Sequence, residues 1–152
     1  IVGPFAFVDS YEPFKAICSD CGTVTNYKMS VDTWYAEGNT SFGFGLLLRD
    51  SKDSVDLFMT VSTWQYYNVF SFDSSVGGGA GWQSLIGGWR EGSMKAGRGV
   101  NHVEVLVQDG SLSVTINGTL NRVVDLPKGS GEVGMYVSNF QVGAGFDNFH
   151  YE

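Results

Sequence analysis

Alternation of apolar and polar residues over positions 101–117 constrains this fold more than any other feature. Valines at 103, 105 and 107 face one way and His102, Glu104 and Gln108 the other, and Leu112, Val114 and Ile116 alternate with Ser113, Thr115 and Asn117. The dipeptides Asp-Gly at 109–110 and Asn-Gly at 117–118 separate the runs, and both are typical of two-residue hairpin turns. The pattern predicts a meander of three antiparallel strands, the last over 119–126.

The rest of the chain shows the same period of two and no helical periodicity. Polar, glycine-rich loops are predicted at 75–81 and 92–99. Short strands at intervals of roughly ten residues, without helices between them, indicate an all-β fold. We therefore expect a single domain over residues 1–152, built as a two-sheet antiparallel β-sandwich, with further strands at 27–35, 41–49, 56–63, 66–73, 82–89, 132–139 and 146–151.

Composition narrows the classes of partner. The 152 residues carry a formal net charge of -7, which argues against nucleic acid and anionic membranes because both require clustered Lys and Arg. No apolar run approaches the ~18 residues of a membrane span, so no membrane insertion is expected. The sequence begins with Ile1 and has no signal-peptide pattern. A processed mature chain or an excised domain is expected, with an extracellular or cell-surface location.

Cys18 and Cys21 are the only cysteines. A redox motif would need a helix beginning at the pair to lower a thiol pKa, but Gly22 and the residues after it favour a strand. A zinc site would need a second pair of ligands, and the spacing of His102 and His150 does not supply one. The favoured interpretation is a small disulfide loop, which would stabilise the fold by about 2 kcal/mol.

Three stretches together resemble the concanavalin A-like lectin and glucanase superfamily, especially its laminin-G-like and carbohydrate-binding jelly rolls. They are FGFGLLLR at 42–49, the meander from Asn101 to Gly118, and the closing segment from Gly134 to Phe149. The resemblance implies a jelly roll and a non-catalytic module that binds a glycan or polysaccharide, or senses another ligand. One departure is the opening strand, which is replaced by the short apolar stretch at residues 1–8.

Aromatic residues in the middle of the chain are the candidate glycan site. Sugar rings pack their C–H faces on Trp and Tyr, while their hydroxyls need amide, carboxylate or guanidinium partners. Because strands alternate, Trp64 and Tyr66 share a face and Tyr67 points the other way, so part of this set belongs to the core. Asn68 and Gln83 lie nearby as further hydrogen-bonding groups. The predicted carbohydrate-binding residues are Trp64, Tyr66, Trp82, Trp89, Arg90, Arg49 and Gln65.

A structural Ca²⁺ is the one cofactor that the resemblance implies, and none is expected to be essential. In related modules an Asp at the position of Asp147 joins N-terminal acids around the ion, and Asp9 and Glu12 would be those acids here. The alternative is that Asp147 is an ordinary turn residue. Asp50, Asp53 and Asp56 are interpreted as a solvated hairpin loop, because the EF-hand glycine and final glutamate are missing.

Two other functions compete with glycan binding. A structural subunit of an extracellular filament or surface layer would donate its N-terminal strand to a neighbour, and residues 1–8 are the candidate segment for self-association. A hydrolase would need two carboxylates facing each other across a cleft, and the sequence has no such spacing. We therefore expect no catalytic residues.

Overall fold

The predicted meander is present in the computed structural model. The model describes residues 5–7, 14–40, 43–51, 55–76, 78–138 and 142–152, with the backbone alone at 5–7, 78–79 and 87–89. The strands are β1 (Phe5–Phe7), β2 (Phe14–Ile17), β3 (Tyr27–Gly38), β4 (Phe44–Asp50), β5 (Val55–Val61), β6 (Tyr66–Asp73), β7 (Trp82–Arg90), β8 (Asn101–Gln108), β9 (Ser111–Ile116), β10 (Thr119–Asp125), β11 (Glu132–Val137) and β12 (Val142–Tyr151).

These strands form two antiparallel sheets of six strands each. The sheet in the order β1-β12-β3-β8-β9-β10 contains the meander and is called the meander sheet. The sheet in the order β2-β11-β4-β5-β6-β7 is called the aromatic sheet. The prediction of an all-β, two-sheet antiparallel sandwich is confirmed. The described residues contain no helix that is long and apolar enough to cross a membrane.

Alternation fixes which side chains fill the core between the sheets. Val103 and Val105 on β8 are fully buried, as is Val114 on β9, and they meet Leu46 and Met59 from the aromatic sheet in one cluster. The two turns of the meander are hairpins in which both central residues have positive φ, at 109–110 and at 117–118. That geometry is the reason for Asp-Gly and Asn-Gly at these positions.

A network of amide side chains joins the loop at 91–100 to the meander. Asn101 accepts a hydrogen bond from the backbone N–H of Lys95 at 2.7 Å and donates to the Lys95 carbonyl at 3.0 Å. The Asn117 side-chain nitrogen donates to the Ser93 carbonyl at 2.8 Å and to Asn101 Oδ1 at 2.9 Å. Each buried amide is therefore satisfied, as burial requires.

The N-terminal region departs from the predicted strand list. β2 was not expected, because it is a four-residue edge strand defined by its pairing with β11 and not by alternation. β1 pairs antiparallel with β12 of the same chain, so Phe5–Phe7 of the apolar stretch form an edge strand of the meander sheet. Self-association through residues 1–8 stays a prediction. Cys18 and Cys21 form a disulfide, which confirms the favoured interpretation of that pair.

Candidate functional site

Strands β5 and β6 carry apolar residues on both faces, which places large rings on the outer side of the aromatic sheet. Leu57 and Met59 of β5 point into the core, so Phe58 between them points outward. On β6, Tyr67 and Val69 enter the core, and Phe70 takes the opposite face. Because successive strand residues alternate, Tyr66, Asn68 and Phe72 lie on that outer face too.

Five rings pack together on this outer side and are called the aromatic face: Phe58, Phe70, Phe72, Trp82 and Tyr136. The ring centroids of Phe58 and Tyr136 are 4.4 Å apart, those of Phe72 and Trp82 are 4.5 Å apart, and those of Phe70 and Trp82 are 5.4 Å apart. Burial raises the pKa of the Tyr136 phenol to about 12. Each ring pair adds about 0.5–1.5 kcal/mol beyond the burial of area.

Trp82 is the ring of this face that reaches solvent most, with 43% of its surface exposed. It lines a groove between β6 and β7 together with Asn68, Phe70, Gln83 and Ser84, and the groove has a volume of about 310 Å³. We call this the β6–β7 groove. It combines two aromatic surfaces with two amides and a hydroxyl, which can bind a ligand that has both apolar faces and hydrogen-bonding groups.

A charged cluster lies beside the rings on the same sheet. Lys15 Nζ is 3.0 Å from Asp56 Oδ2 and 3.2 Å from Asp50 Oδ1, and it sits 5.7 Å from the centroid of the Phe58 ring. Burial alone would lower the Lys15 pKa, but hydrogen bonds to Asp56 and Asp50 outweigh it and hold that pKa above its ordinary value. The lysine therefore stays charged, and both carboxylates are paired with it.

Four of the predicted residues gather at the end of the sheet, away from Trp82. Arg90 Nη2 donates to Gln65 Oε1 at 3.1 Å, and Gln65 Nε2 donates to the Met94 carbonyl at 2.7 Å. Tyr66 pairs with Arg90 in the sheet, and Trp64 is 62% exposed in the adjoining turn. We call Trp64, Gln65, Tyr66 and Arg90 the turn group. Phe72 lies six positions along β6 from Tyr66, so roughly 20 Å lie between this group and Trp82.

Arg49 joins neither group. A bulge between Leu47 and Arg49 shifts the register of β4 against β5, so Arg49 pairs with Leu57, whose side chain faces the core. Arg49 is only 7% exposed and lines a separate cavity at one end of the sandwich. One extra residue in a strand reverses the face of those that follow it.

Of the remaining predicted residues, some are not among those that the structure describes. The backbone of Trp89 pairs with Tyr67, and its side chain is not described. Asp147 accepts a hydrogen bond from the backbone N–H of Asn148 at 2.8 Å, while Asp9 and Glu12 lie outside the described residues. Within the described ranges, no three His, Cys, Asp or Glu residues are grouped to hold a metal. The calcium site stays a prediction.

Phe58, Phe70, Phe72 and Tyr136 are residues of the aromatic face that the sequence did not single out. The signal for Phe70 and Phe72 was available, because they have the same parity as Tyr66 along β6. No comparable signal existed for Phe58, since its neighbours Leu57 and Met59 are equally apolar. The contact of Tyr136 with Phe58 depends on the order of strands in the sheet, which alternation does not determine.

No family model and no curated protein sequence matches this chain. Solved structures do: the carbohydrate-binding module CBM66 from Bacillus subtilis superposes with a TM-score of 0.75 at 15% identity, over 95% of this chain and 84% of that one. A putative glycosyl hydrolase from Parabacteroides distasonis gives 0.64 at 14% identity, over 99% and 86%. Sheep galectin-11 in complex with glycerol gives 0.60 at 9% identity, over 100% and 99%. At such identities the likeness establishes the fold alone, and this fold is the two-sheet jelly-roll sandwich that the sequence led us to expect.

Proposed function

We propose that this chain is a non-catalytic, extracellular carbohydrate-binding module whose ligand occupies the β6–β7 groove. The observation that carries the proposal is the exposed indole of Trp82, supported from behind by Phe70 and Phe72 and bordered by Asn68 and Gln83. A sugar ring would pack its C–H face on the indole and exchange hydrogen bonds with the amides.

Other observations support this proposal. CBM66 is by name a carbohydrate-binding module, and galectin-11 shares the same sandwich. The Cys18–Cys21 disulfide is in keeping with an oxidising, extracellular compartment. The rings of the aromatic face lie outside the core between the sheets, so closure of the sandwich does not by itself require them.

Replacing Trp82 tests the proposal, and Trp64 supplies a matched control. Neutral plant, algal and bacterial polysaccharides on an array identify the ligand, and calorimetry then compares wild type with Trp82→Ala and Trp64→Ala. We expect Trp82→Ala to weaken binding by about tenfold to a hundredfold, which corresponds to a loss of about 1.4–2.8 kcal/mol of contact with the indole. Trp64→Ala should bind like wild type.

Two results would contradict this assignment. If Trp64→Ala loses binding and Trp82→Ala keeps it, the ligand lies on the turn group. If no polysaccharide binds, with calcium present, the carbohydrate function itself is wrong. Thermal unfolding of each variant checks the fold. Trp64→Ala should change the midpoint little because that indole is 62% exposed, whereas Trp82→Ala should lower it moderately, because the Trp82 indole packs on Phe58, Phe70 and Phe72.

A further inference from the structure

A second cavity opens at one end of the sandwich, remote in sequence from the β6–β7 groove. Its volume is about 510 Å³, within the range of small-molecule sites. Residues before β3, the β8–β9 hairpin, the segment after β10 and the end of β4 all contribute to it. The polar lining includes Thr25, Asn26, Asp109, Asp125, Lys128 and Arg49. We call it the end pocket.

Arg49 is held in the end pocket by backbone geometry. The bulge in β4 turns it away from the aromatic face, and two glycines leave room for its side chain. A Cβ at position 131 would come within 2.7 Å of Arg49 Cγ, and one at position 129 within 3.0 Å of Nη1. Glycine at these two positions therefore leaves the space that the arginine side chain occupies.

The Arg49 guanidinium has no partner in the described part of the chain. No hydrogen bond or ion pair from a described residue reaches it; the residue as a whole is 7% exposed, and its guanidinium nitrogens keep contact with solvent in the pocket. Tyr27 is the ionisable neighbour that acts on it, but the Tyr27 hydroxyl donates to the Leu48 carbonyl at 2.5 Å instead. Burial also raises the Tyr27 pKa far above its ordinary value, so the phenol stays neutral.

A partly desolvated charge without an ion-pair partner can gain from an incoming anion, because part of its hydration has already been lost. The guanidinium keeps its proton in proteins, so the charge persists. It does line the open pocket, where an incoming group can reach it. A planar carboxylate matches its paired N–H groups best, through two parallel hydrogen bonds.

The charges around the end pocket limit which anion fits. Asp109 and Asp125 line it together with Lys128, so these three groups add one negative charge around the single buried arginine. A doubly charged phosphate would be repelled more than a monoanion. The two carboxylates accept hydrogen bonds, which hydroxyl groups on the same ligand can donate.

We propose that the end pocket binds a carboxylate-bearing sugar, a uronate, with its carboxylate on Arg49 and its hydroxyls on Asp109 and Asp125. The proposal rests on the proposed function for the ligand class, but it uses a different surface and different chemistry. The chain would then hold acidic and neutral parts of a glycan at two separate places.

The test is titration with D-galacturonate and D-glucuronate, followed by calorimetry and by NMR of the arginine Nε–H signals. D-galactose and D-glucose are the neutral counterparts, and inorganic phosphate is the simple anion. We expect saturable binding of a uronate alone. Arg49→Lys should weaken it about tenfold or more, because the point charge of lysine loses the paired geometry. Arg122→Gln, which removes an exposed arginine on β10, should bind like wild type.

A second variant keeps the proposal testable if Arg49→Lys does not fold. Thr25 is exposed on the pocket wall, so Thr25→Trp should block the pocket without disturbing Arg49. The proposal is overturned if no uronate binds, if neutral sugars or phosphate bind equally well, or if uronate binding survives in Thr25→Trp. Trp82→Ala should leave uronate binding intact, so the two proposals fail separately.

Discussion

The outer faces of the two sheets differ although both lie outside the shared core. On the meander sheet, polar groups pair across strands: His102 Nδ1 is 2.6 Å from Asp32 Oδ1, and Lys28 is 3.6 Å from Glu104. On the aromatic sheet, five rings pack on one another instead. Paired polar groups, as on the meander sheet, are the ordinary composition of a soluble protein surface. Among the five rings, Phe58 and Tyr136 are buried beneath their neighbours, and Trp82 is the most exposed.

Removing the central ring of the aromatic face should give the largest effect on stability. Phe58 is buried, and its ring contacts Tyr136, Phe70 and Trp82. We expect Phe58→Ala to lower the free energy of unfolding by about 3–5 kcal/mol, because it leaves a cavity among the other rings. Thr115→Ala, on the outer face of the meander sheet, should change it by less than about 0.5 kcal/mol.

Urea denaturation followed by circular dichroism measures both changes. Equal effects for Phe58→Ala and Thr115→Ala would mean that the two faces do not differ as described.

A medium effect is expected where Trp34 lies on the outer side of the meander sheet. Trp34 lies over Gly145 on the neighbouring strand, and a Cβ at position 145 would overlap the indole. Gly145→Ala should therefore cost about 1–3 kcal/mol and shift the tryptophan fluorescence. Gly92→Ala is the control, since nothing lies near a Cβ there. Matching urea midpoints for the two variants would contradict this contact.

The smallest effect concerns the acid stability of the meander sheet. Burial alone would raise the Asp32 pKa, but hydrogen bonds from Asn148 and His102 outweigh it and hold that pKa below its ordinary value. A carboxyl of this kind stabilises the fold above its unfolded pKa of about 3.9, and the contribution is lost as the pH falls through its folded pKa. Asp32→Asn should remove this loss of stability in acid. We expect the loss to be below about 1 kcal/mol, because the Asp32–His102 pair is partly exposed to solvent.

Unfolding free energies measured from pH 7 down to pH 2.5 test this expectation. Glu104→Gln, in the neighbouring cross-strand pair, is the matched control. An acid transition in Asp32→Asn that is as steep as in wild type would show that this carboxyl does not contribute.

The meander could be predicted because local signals agree there. Alternation fixes the buried valines of β8, and the two dipeptide turns fix the register of β9 and β10. β12 begins earlier than expected, since Gly143 and Gly145 weaken the strand pattern over its first half.

The candidate site was only partly predictable. Trp82 was identified because an indole next to amides has an evident chemistry, whereas the rings behind it depend on which strands are neighbours. Arg49 shows a second limit, because the bulge before it changes its face and leaves no mark in the run Leu46-Leu47-Leu48. Such features depend on backbone geometry in three dimensions, which alternation in one dimension does not encode.

The amide network at the second hairpin has a consequence for chemical modification of the chain. Asn117-Gly118-Thr119 has the sequence of an N-glycosylation acceptor, in which the glycan is attached to the asparagine side-chain nitrogen. In the folded molecule that nitrogen donates to Ser93 and Asn101. A glycan could be added only before the loop at 91–100 docks, and it would then prevent the docking. Folding therefore protects this acceptor from the enzyme that would modify it.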